Sequence, residues 1–123
     1  MKKFALILFG MFAFLSFALI FTPVPIVCED NAIVETGTVK SIYEGGEKDV
    51  VIVLDETTRR FYVNRGLENG LDLESLQSQL MGHKVVLKYP KYWTPLDWNN
   101  TIKHLSKIEF EGEVIFNEFR TDC

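Results

Sequence analysis

The residues best suited to contact a ligand are concentrated in one short segment, Tyr89 to Asn100. It contains both tryptophans of the chain, two tyrosines and two prolines. Aromatic rings stack on sugars and bases, and prolines reduce the entropy that is lost when a loop becomes ordered. We therefore expect stacking contacts from Tyr92, Trp93 and Trp98 and an anion contact from Lys91.

A second group of such residues lies upstream, where Arg59 to Asn64 reads RRFYVN. Phe61 and Val63 alternate with polar residues, a pattern typical of a half-buried strand. The polar side of this strand and the residue after it complete the predicted ligand-binding surface: Arg60, Tyr62, Asn64 and Arg65. Arg60 and Arg65 are expected to pair with anions.

The aromatic segment also has a purely structural interpretation. A long loop rich in Trp and Pro often folds back over the open end of a small domain, and its rings then pack in a satellite core. In that case Asp97 accepts hydrogen bonds from nearby backbone amides in a turn. The sequence leaves both interpretations open.

Catalytic chemistry has little support in the sequence. His83 and His104 have no nucleophile or acid partner at a recognisable spacing, so general base catalysis has no basis. The two cysteines and two histidines do not form a metal-ligand pattern. We expect a protein that is not an enzyme and has no cofactor or metal; the alternative is an active site without a motif, involving His83, His104 and Asp97.

The N-terminus carries an uncharged apolar run, Phe4 to Phe21, after Lys2 and Lys3. Its length is about what a helix needs to span the hydrocarbon core of a membrane. Because basic residues precede it and none follows until Lys40, we expect a single-pass membrane protein with a cytoplasmic N-terminus and its C-terminal domain outside. Residues 4–21 are the predicted membrane contact, and Pro23 and Pro25 are expected to end the helix.

Two other interpretations of this N-terminal segment remain open. It resembles a secretion signal with a cleavage site at Ser16-Phe17-Ala18, and cleavage there would give a secreted protein. Lipidation of Cys28 is a further alternative, although the residues before it match the usual pattern poorly.

The remaining residues are sufficient for one small domain. We assign 1–27 to the anchor or signal and 28–123 to an extracytoplasmic domain. All 17 acidic residues and all but Lys2 and Lys3 of the 13 basic ones lie in the domain, so its formal charge is −6. Such a charge argues against nucleic-acid binding, which depends on basic surfaces.

The two cysteines, Cys28 and Cys123, are the first and last residues of this domain. In an oxidising compartment an even number of cysteines commonly indicates a disulfide. A Cys28–Cys123 disulfide is one prediction; free thiols and intermolecular pairing are the alternatives.

The hydrophobic pattern predicts five or six strands and one helix. Strands are expected over residues 32–43, 49–55, 59–64, 83–89, 101–110 and 113–119, and a helix over 73–81 with Asp72 as its N-cap. The second strand, with five successive apolar residues, is expected to be buried on both faces. Gly37 is expected to mark a bulge or bend in the first strand.

This order of elements resembles that of the oligonucleotide/oligosaccharide-binding fold (OB-fold), across about residues 32–119. The resemblance implies a mainly β, five- to six-stranded Greek-key barrel with one short helix, preceded here by the N-terminal transmembrane helix. It also implies ligand contacts from strands two and three and from the loop between strands four and five. An SH3-like barrel is the alternative fold, against which the helix argues.

The expected function is therefore that of a non-catalytic binding module. Its expected target is a protein partner in the cell envelope or a small saccharide-like ligand. The alternative is an accessory or structural subunit of a membrane complex.

Overall fold

The computed structural model describes residues 1–20, 27–93 and 97–123. Helix α1 (Lys2–Ile20) occupies the N-terminal apolar run, and its large apolar side chains from Phe4 to Leu19 are exposed. Within the described ranges, the segment Lys2–Leu19 is the one stretch of helix long and apolar enough to cross a membrane. Such a helix serves as a membrane span or as a secretion signal. The predicted roles of Pro23 and Pro25, and Pro95 of the aromatic segment, lie outside the described residues.

The domain after this helix is mainly β, with one further α-helix and three single 3₁₀ turns. Its strands are β1 (Ala32–Glu44), β2 (Val50–Leu54), β3 (Arg60–Val63), β4 (Lys84–Pro90), β5 (Ile102–His104), β6 (Lys107–Phe110) and β7 (Glu113–Asn117). Helix α2 (Leu73–Leu80) lies between β3 and β4. The 3₁₀ turns are Glu29–Asn31, Gly46–Lys48 and Gly66–Glu68.

The strands form one sheet in the order β5-β3-β2-β1-β4-β6-β7. All neighbours are antiparallel except β3 and β5, which are parallel. Strand β1 changes partner along its length: Ala32 to Thr38 pair with β4, and Val39 to Glu44 pair with β2. The strand order is open at both ends, so the pairing alone does not establish the predicted closed barrel.

Gly37 lies close to the point where β1 changes partner. A Cβ atom there would lie 2.6 Å from Glu56 Oε2 and 2.9 Å from Leu54 Cδ1, so a larger residue would displace the ends of these two side chains. The register irregularity predicted at Gly37 falls instead between Val39 and Ser41. The bulge therefore belongs to the half of β1 that pairs with β2.

The number of strands exceeds the prediction because residues 101–110 do not form one strand. Ile102–His104 pairs with β3, and Lys107–Phe110 pairs with β4. Between them, the Leu105 amide donates to the Tyr62 carbonyl and the Ser106 amide donates to the Lys88 carbonyl. The segment therefore divides into β5 and β6 where it passes from one neighbour to the other.

The core combines side chains from one face of the sheet with two leucines of α2. It is formed by Val39, Ile42, Val50, Ile52, Leu54, Phe61, Val63, Leu76, Leu80, Val85, Leu87, Tyr89, Leu105 and Ile108. The prediction that β2 is buried on both faces is wrong: Val51 and Val53 are only half-buried, because their face of the sheet is not covered as the core face is. The predicted alternation of β3 is confirmed, with Phe61 and Val63 inside.

Helix α2 follows the predicted pattern. The Asp72 carboxylate caps it by accepting a 3.0 Å hydrogen bond from the Ser75 amide. Leu76 and Leu80 are buried, and Gln77 Nε2 donates to the Ile42 carbonyl at 2.7 Å. These contacts fix the helix to β1.

The two ends of the domain are joined covalently. Cys28 and Cys123 form a disulfide with their Cα atoms 6.0 Å apart, as predicted. A disulfide is expected in an oxidising compartment. It also leaves Cys28 no thiol for lipid attachment.

Candidate functional site

The structure divides the predicted ligand-binding residues between two concave surfaces. Arg60 and Tyr62 line a groove of about 460 Å³, which we call the outer groove, together with Tyr43, Asp49, Asn64 and Ile102. Lys91, Tyr92 and Trp93 line a pocket of about 500 Å³, which we call the mouth pocket, together with Arg59, Tyr89 and Lys103. Arg65 and Trp98 line neither surface.

The outer groove follows from the alternation of side chains along β2 and β3. Since Phe61 and Val63 enter the core, Arg60 and Tyr62 project from the opposite face. Tyr43 reaches the same surface from the end of β1. The adjoining turn is closed by a 2.8 Å hydrogen bond from the Gly45 amide to the Asp49 carbonyl.

The polar groups of the outer groove differ in how firmly they are held. Asp49 Oδ1 accepts a 2.8 Å hydrogen bond from the Arg65 amide, and Arg60 is exposed. Burial raises the pKa of Tyr62, and its contact with Tyr92 raises it further, so its hydroxyl stays protonated. The groove thus offers two phenol groups, a guanidinium and a carboxylate.

Arg65 lies beside the groove rather than in it. Its guanidinium is 3.9 Å from the Glu47 carboxylate and 3.7 Å from that of Glu68. The side chain is more than half exposed, so these pairs contribute little to stability. The predicted anion contact from Arg65 would require it to leave both carboxylates.

Asp97 joins the C-terminal part of the aromatic segment to the start of β5. Its Oδ1 accepts hydrogen bonds from the Thr101 amide at 2.8 Å and the Thr101 hydroxyl at 3.0 Å, and its Oδ2 accepts one from the Ile102 amide at 3.0 Å. Burial would raise the pKa of Asp97, but these hydrogen bonds lower it overall. The predicted contact with nearby backbone amides is confirmed.

The two tryptophans contact each other. Their ring centroids are 5.0 Å apart in an edge-to-face arrangement, and the Trp93 indole N–H donates to the Trp98 carbonyl at 3.3 Å. Trp93 also lines the mouth pocket, whereas Trp98 is 71% exposed. Of the two rings, Trp93 is therefore the one positioned to contact a ligand in this pocket.

The mouth pocket contains a cation that the sequence did not single out. Lys103 is only 6% exposed, and its Nζ lies 2.6 Å from Asn100 Oδ1 and 3.5 Å from the Tyr92 carbonyl. Burial lowers the pKa of Lys103, an effect that Asp97 opposes and Arg59 reinforces. Its ammonium also lies 5.3 Å from the centre of the Tyr92 ring.

His104 has an acid partner that its sequence neighbours do not supply. Its Nε2 lies 2.6 Å from Glu118 Oε1, and its ring packs edge-on against Tyr62. The nearby Ser106 hydroxyl is directed at the Glu118 carboxylate at 3.4 Å, and Ser106 is buried. Because Ser106 donates to the carboxylate and not to the imidazole, the trio differs from a serine nucleophile activated by histidine.

Across residues 1–20, 27–93 and 97–123, no three His, Cys, Asp or Glu side chains are grouped so as to hold a metal ion.

No protein-family model, curated protein or solved structure matches this chain.

Sequence reasoning missed several residues of the concave surfaces, among them Tyr43, Asp49, Arg59 and Lys103. Tyr43 and Arg59 lie at strand ends, where the alternation that identified Arg60 and Tyr62 is least certain. Residue type alone indicates the wrong orientation for Lys103, since this lysine is buried while its apolar neighbour Ile102 is partly exposed. Only the pairing of β5 with β3 determines which of these side chains faces inwards.

Proposed function

We propose that this protein is a membrane-anchored, extracytoplasmic binding module that takes a saccharide-like ligand in the outer groove. Its domain is proposed to be an OB-like Greek-key barrel over residues 28–123. The outer groove carries this proposal, because it combines two tyrosine rings with the polar side chains of Arg60, Asp49 and Asn64. Aromatic faces flanked by hydrogen-bonding groups are suited to sugar rings.

The barrel is supported by the path of residues 102–110. This stretch pairs parallel with β3 and antiparallel with β4, the two strands farthest apart in the rest of the sheet. Only Leu105 and Ser106 separate the two pairings, and each donates a backbone hydrogen bond to one side. A single bent strand would then close a five-stranded barrel, to which β7 is added outside.

Two independent features support the proposed position of residues 28–123 outside the membrane. Helix α1 is long enough to span a membrane, and two lysines precede its apolar run. The Cys28–Cys123 disulfide fits an oxidising compartment. Together they favour an anchored N-terminus with residues 28–123 outside. The acidic charge of this domain separately favours partners other than nucleic acid.

Saccharide binding in the outer groove can be tested with full-length protein. The protein is held in a non-ionic polyoxyethylene detergent, because maltoside detergents carry a sugar that would compete for the groove. A panel of neutral and acidic oligosaccharides identifies binders, and calorimetry measures their affinity. We expect saturable binding that Tyr43→Ala and Arg60→Gln each weaken about tenfold or more, corresponding to about 1.4 kcal/mol. Lys84→Gln is the matched control, because Lys84 is an exposed cation on β4, which does not border the groove.

Two results would overturn the ligand proposal. One is the absence of saturable binding across the panel. The other is binding that survives unchanged in both groove variants. An accessory role in a membrane complex would then be preferred, and it is favoured by the exposed apolar side chains of α1. Replacing α1 by an unrelated membrane helix separates the roles: a tether tolerates the exchange, whereas a helix that packs against a partner does not.

A further inference from the structure

The mouth pocket concentrates positive charge in a domain that is acidic as a whole. Arg59, Lys91 and Lys103 line it, although the formal charge of residues 28–123 is −6. Of these cations, Arg59 comes from the turn before β3, Lys91 follows β4 and Lys103 is on β5. The cations are therefore far apart in sequence and are brought together by the fold.

Lys103 contributes a buried charge without a nearby counter-charge. Its two hydrogen-bond acceptors, Asn100 Oδ1 and the Tyr92 carbonyl, are both neutral. Among the residues that the structure describes, no carboxylate oxygen lies within 4 Å of its Nζ. Asp97, the acid that acts on it from farther away, already accepts hydrogen bonds from Thr101 and Ile102 with both oxygens. Burying an ammonium in this way costs free energy that a bound anion would recover.

Arg59 adds a second cation that is only weakly neutralised. Its Nη1 donates to the Tyr89 hydroxyl at 3.3 Å and lies 3.9 Å from Glu35 Oε2. Glu35 in turn accepts a hydrogen bond from the Tyr89 hydroxyl at 3.2 Å. Arg59 is thus paired with Glu35 only at 3.9 Å, and Arg59 and Lys103 repel each other.

The aromatic wall of the pocket lies next to these charges. Tyr92 and Trp93 line it, and Trp93 is 49% exposed, so part of its ring is free to contact another flat group. The volume of about 500 Å³ is in the range of small-ligand sites.

We propose that the mouth pocket is a second ligand site, which binds a small oxyanion, phosphate or carboxylate, attached to an aromatic or similarly flat body. Arg59 and Lys103 bind the oxyanion, Lys91 attracts it at the rim, and Trp93 stacks on the attached body. This site is separate from the outer groove and does not depend on the saccharide proposal.

Phenyl phosphate is a suitable probe, and benzoate distinguishes a carboxylate from a phosphate head group. Both tryptophans of the chain lie at or next to the pocket, so their fluorescence, corrected for absorption by the probe, reports occupancy. We expect saturable binding of at least one probe by full-length protein in polyoxyethylene detergent. Phenol, which has the ring without the charge, should bind at least tenfold more weakly.

The variants are chosen so that loss of folding does not imitate loss of binding. Lys103→Met retains the length of the side chain and removes a buried charge, so its thermal unfolding midpoint should equal or exceed that of the wild type. We expect Lys103→Met and Arg59→Gln each to weaken binding at least tenfold. Lys84→Met is the control, because Lys84 lies at the opposite end of β4 from Lys91 and should retain full affinity.

Three results would overturn the inference. They are the absence of a saturable response to both phenyl phosphate and benzoate, wild-type affinity in both Lys103→Met and Arg59→Gln, and binding of phenol as tight as that of the anions. Because the outer groove is tested with sugars and other variants, failure of one site is distinguishable from failure of the other.

Discussion

The carboxylate of Glu29 accepts a 2.8 Å hydrogen bond from Lys107 Nζ, across 78 positions of sequence. Its other oxygen accepts a 2.7 Å hydrogen bond from Lys88 Nζ. Lys88 and Lys107 are directly opposite each other on β4 and β6, where two like charges would destabilise the pairing. Glu29 lies between them, assisted by Glu109, whose carboxylate is 3.6 Å from Lys88 and 3.2 Å from Lys107. The residue that follows Cys28 therefore stabilises a pair of strands, β4 and β6, that lie far from it in sequence.

We predict that Glu29→Gln lowers the stability of the domain. The substitution removes the charge that neutralises Lys88 and Lys107, two largely buried side chains. The urea midpoint of full-length protein at pH 7 should fall. Asp30→Asn, at the exposed neighbouring position, should leave it unchanged. An equal effect of both substitutions would contradict the specific role of Glu29.

The contribution of Glu29 should also depend on pH. Hydrogen bonds from Lys107 and then Lys88 lower its pKa below the ordinary value of 4.5. A carboxylate with a lowered pKa stabilises the folded state fully above its unfolded pKa and loses that contribution as the pH falls through the folded pKa. The difference in urea midpoint between wild type and Glu29→Gln should be constant from about pH 7 to 5.5 and shrink towards pH 3. A difference that grows on acidification would contradict this.

Loss of the disulfide should be strongly destabilising. Cys28 and Cys123 are 95 positions apart, and in the chain-entropy model closing so long a loop contributes up to about 4.7 kcal/mol. The double substitution Cys28→Ser and Cys123→Ser should lower the free energy of unfolding by roughly 3–5 kcal/mol in urea titrations. Reductant should reproduce the loss in the wild type and have no effect on the double variant. An unchanged midpoint after confirmed reduction would show that noncovalent contacts between the ends, such as the 3.3 Å hydrogen bond from the Arg120 amide to the Val27 carbonyl, suffice without the covalent bond.

Asp97→Ala should loosen the turn formed by residues 97–102. The change leaves the Thr101 and Ile102 amides without their acceptors and should cost about 1–2 kcal/mol. Since Asp97 directly precedes Trp98, we also expect the tryptophan emission of the folded protein to shift to longer wavelength. Asp55→Ala is the control, because Asp55 is an exposed aspartate after β2. Identical emission from wild type and Asp97→Ala would show that the turn is held by other contacts.

Leu80→Ala should test how far α2 contributes to the core. Leu80 is fully buried, and its truncation should cost about 2–5 kcal/mol through lost burial and the cavity it leaves. The adjacent Gln79→Ala, at an exposed position, should change the free energy of unfolding by less than about 0.5 kcal/mol. Urea titration of both variants measures the difference. Similar values for the two would mean that α2 is not part of the cooperative unit.

Several features follow from local patterns and were predictable for that reason. The spacing of Leu76 and Leu80, with Asp72 before them, is set by the period of a helix and the need of its first amides for an acceptor. The alternation of Phe61 and Val63 is set by the two faces of a strand. The pairing of Cys28 with Cys123 was one of the open predictions, since no other cysteine is present in the sequence.

Other features depend on contacts between distant segments, which a local pattern does not encode. Residues 101–110 read as one strand, yet their hydrogen-bond partners change at Leu105 and Ser106. Ile102 is partly exposed and Lys103 buried, because pairing with β3 fixes which side chain faces inwards.

The sequence by itself determined the apolar helix, the strand-rich domain, its one short helix and most of the candidate ligand-binding residues. Each of these depends on residues close together in the chain. Only the tertiary structure decided how those candidates are grouped. It separated Arg60 and Tyr62 from Lys91, Tyr92 and Trp93, and it brought Lys103 beside Arg59. The physical reason is that strand register and partner choice set which side chains share a surface, and these are fixed by burial and hydrogen bonding across the whole domain.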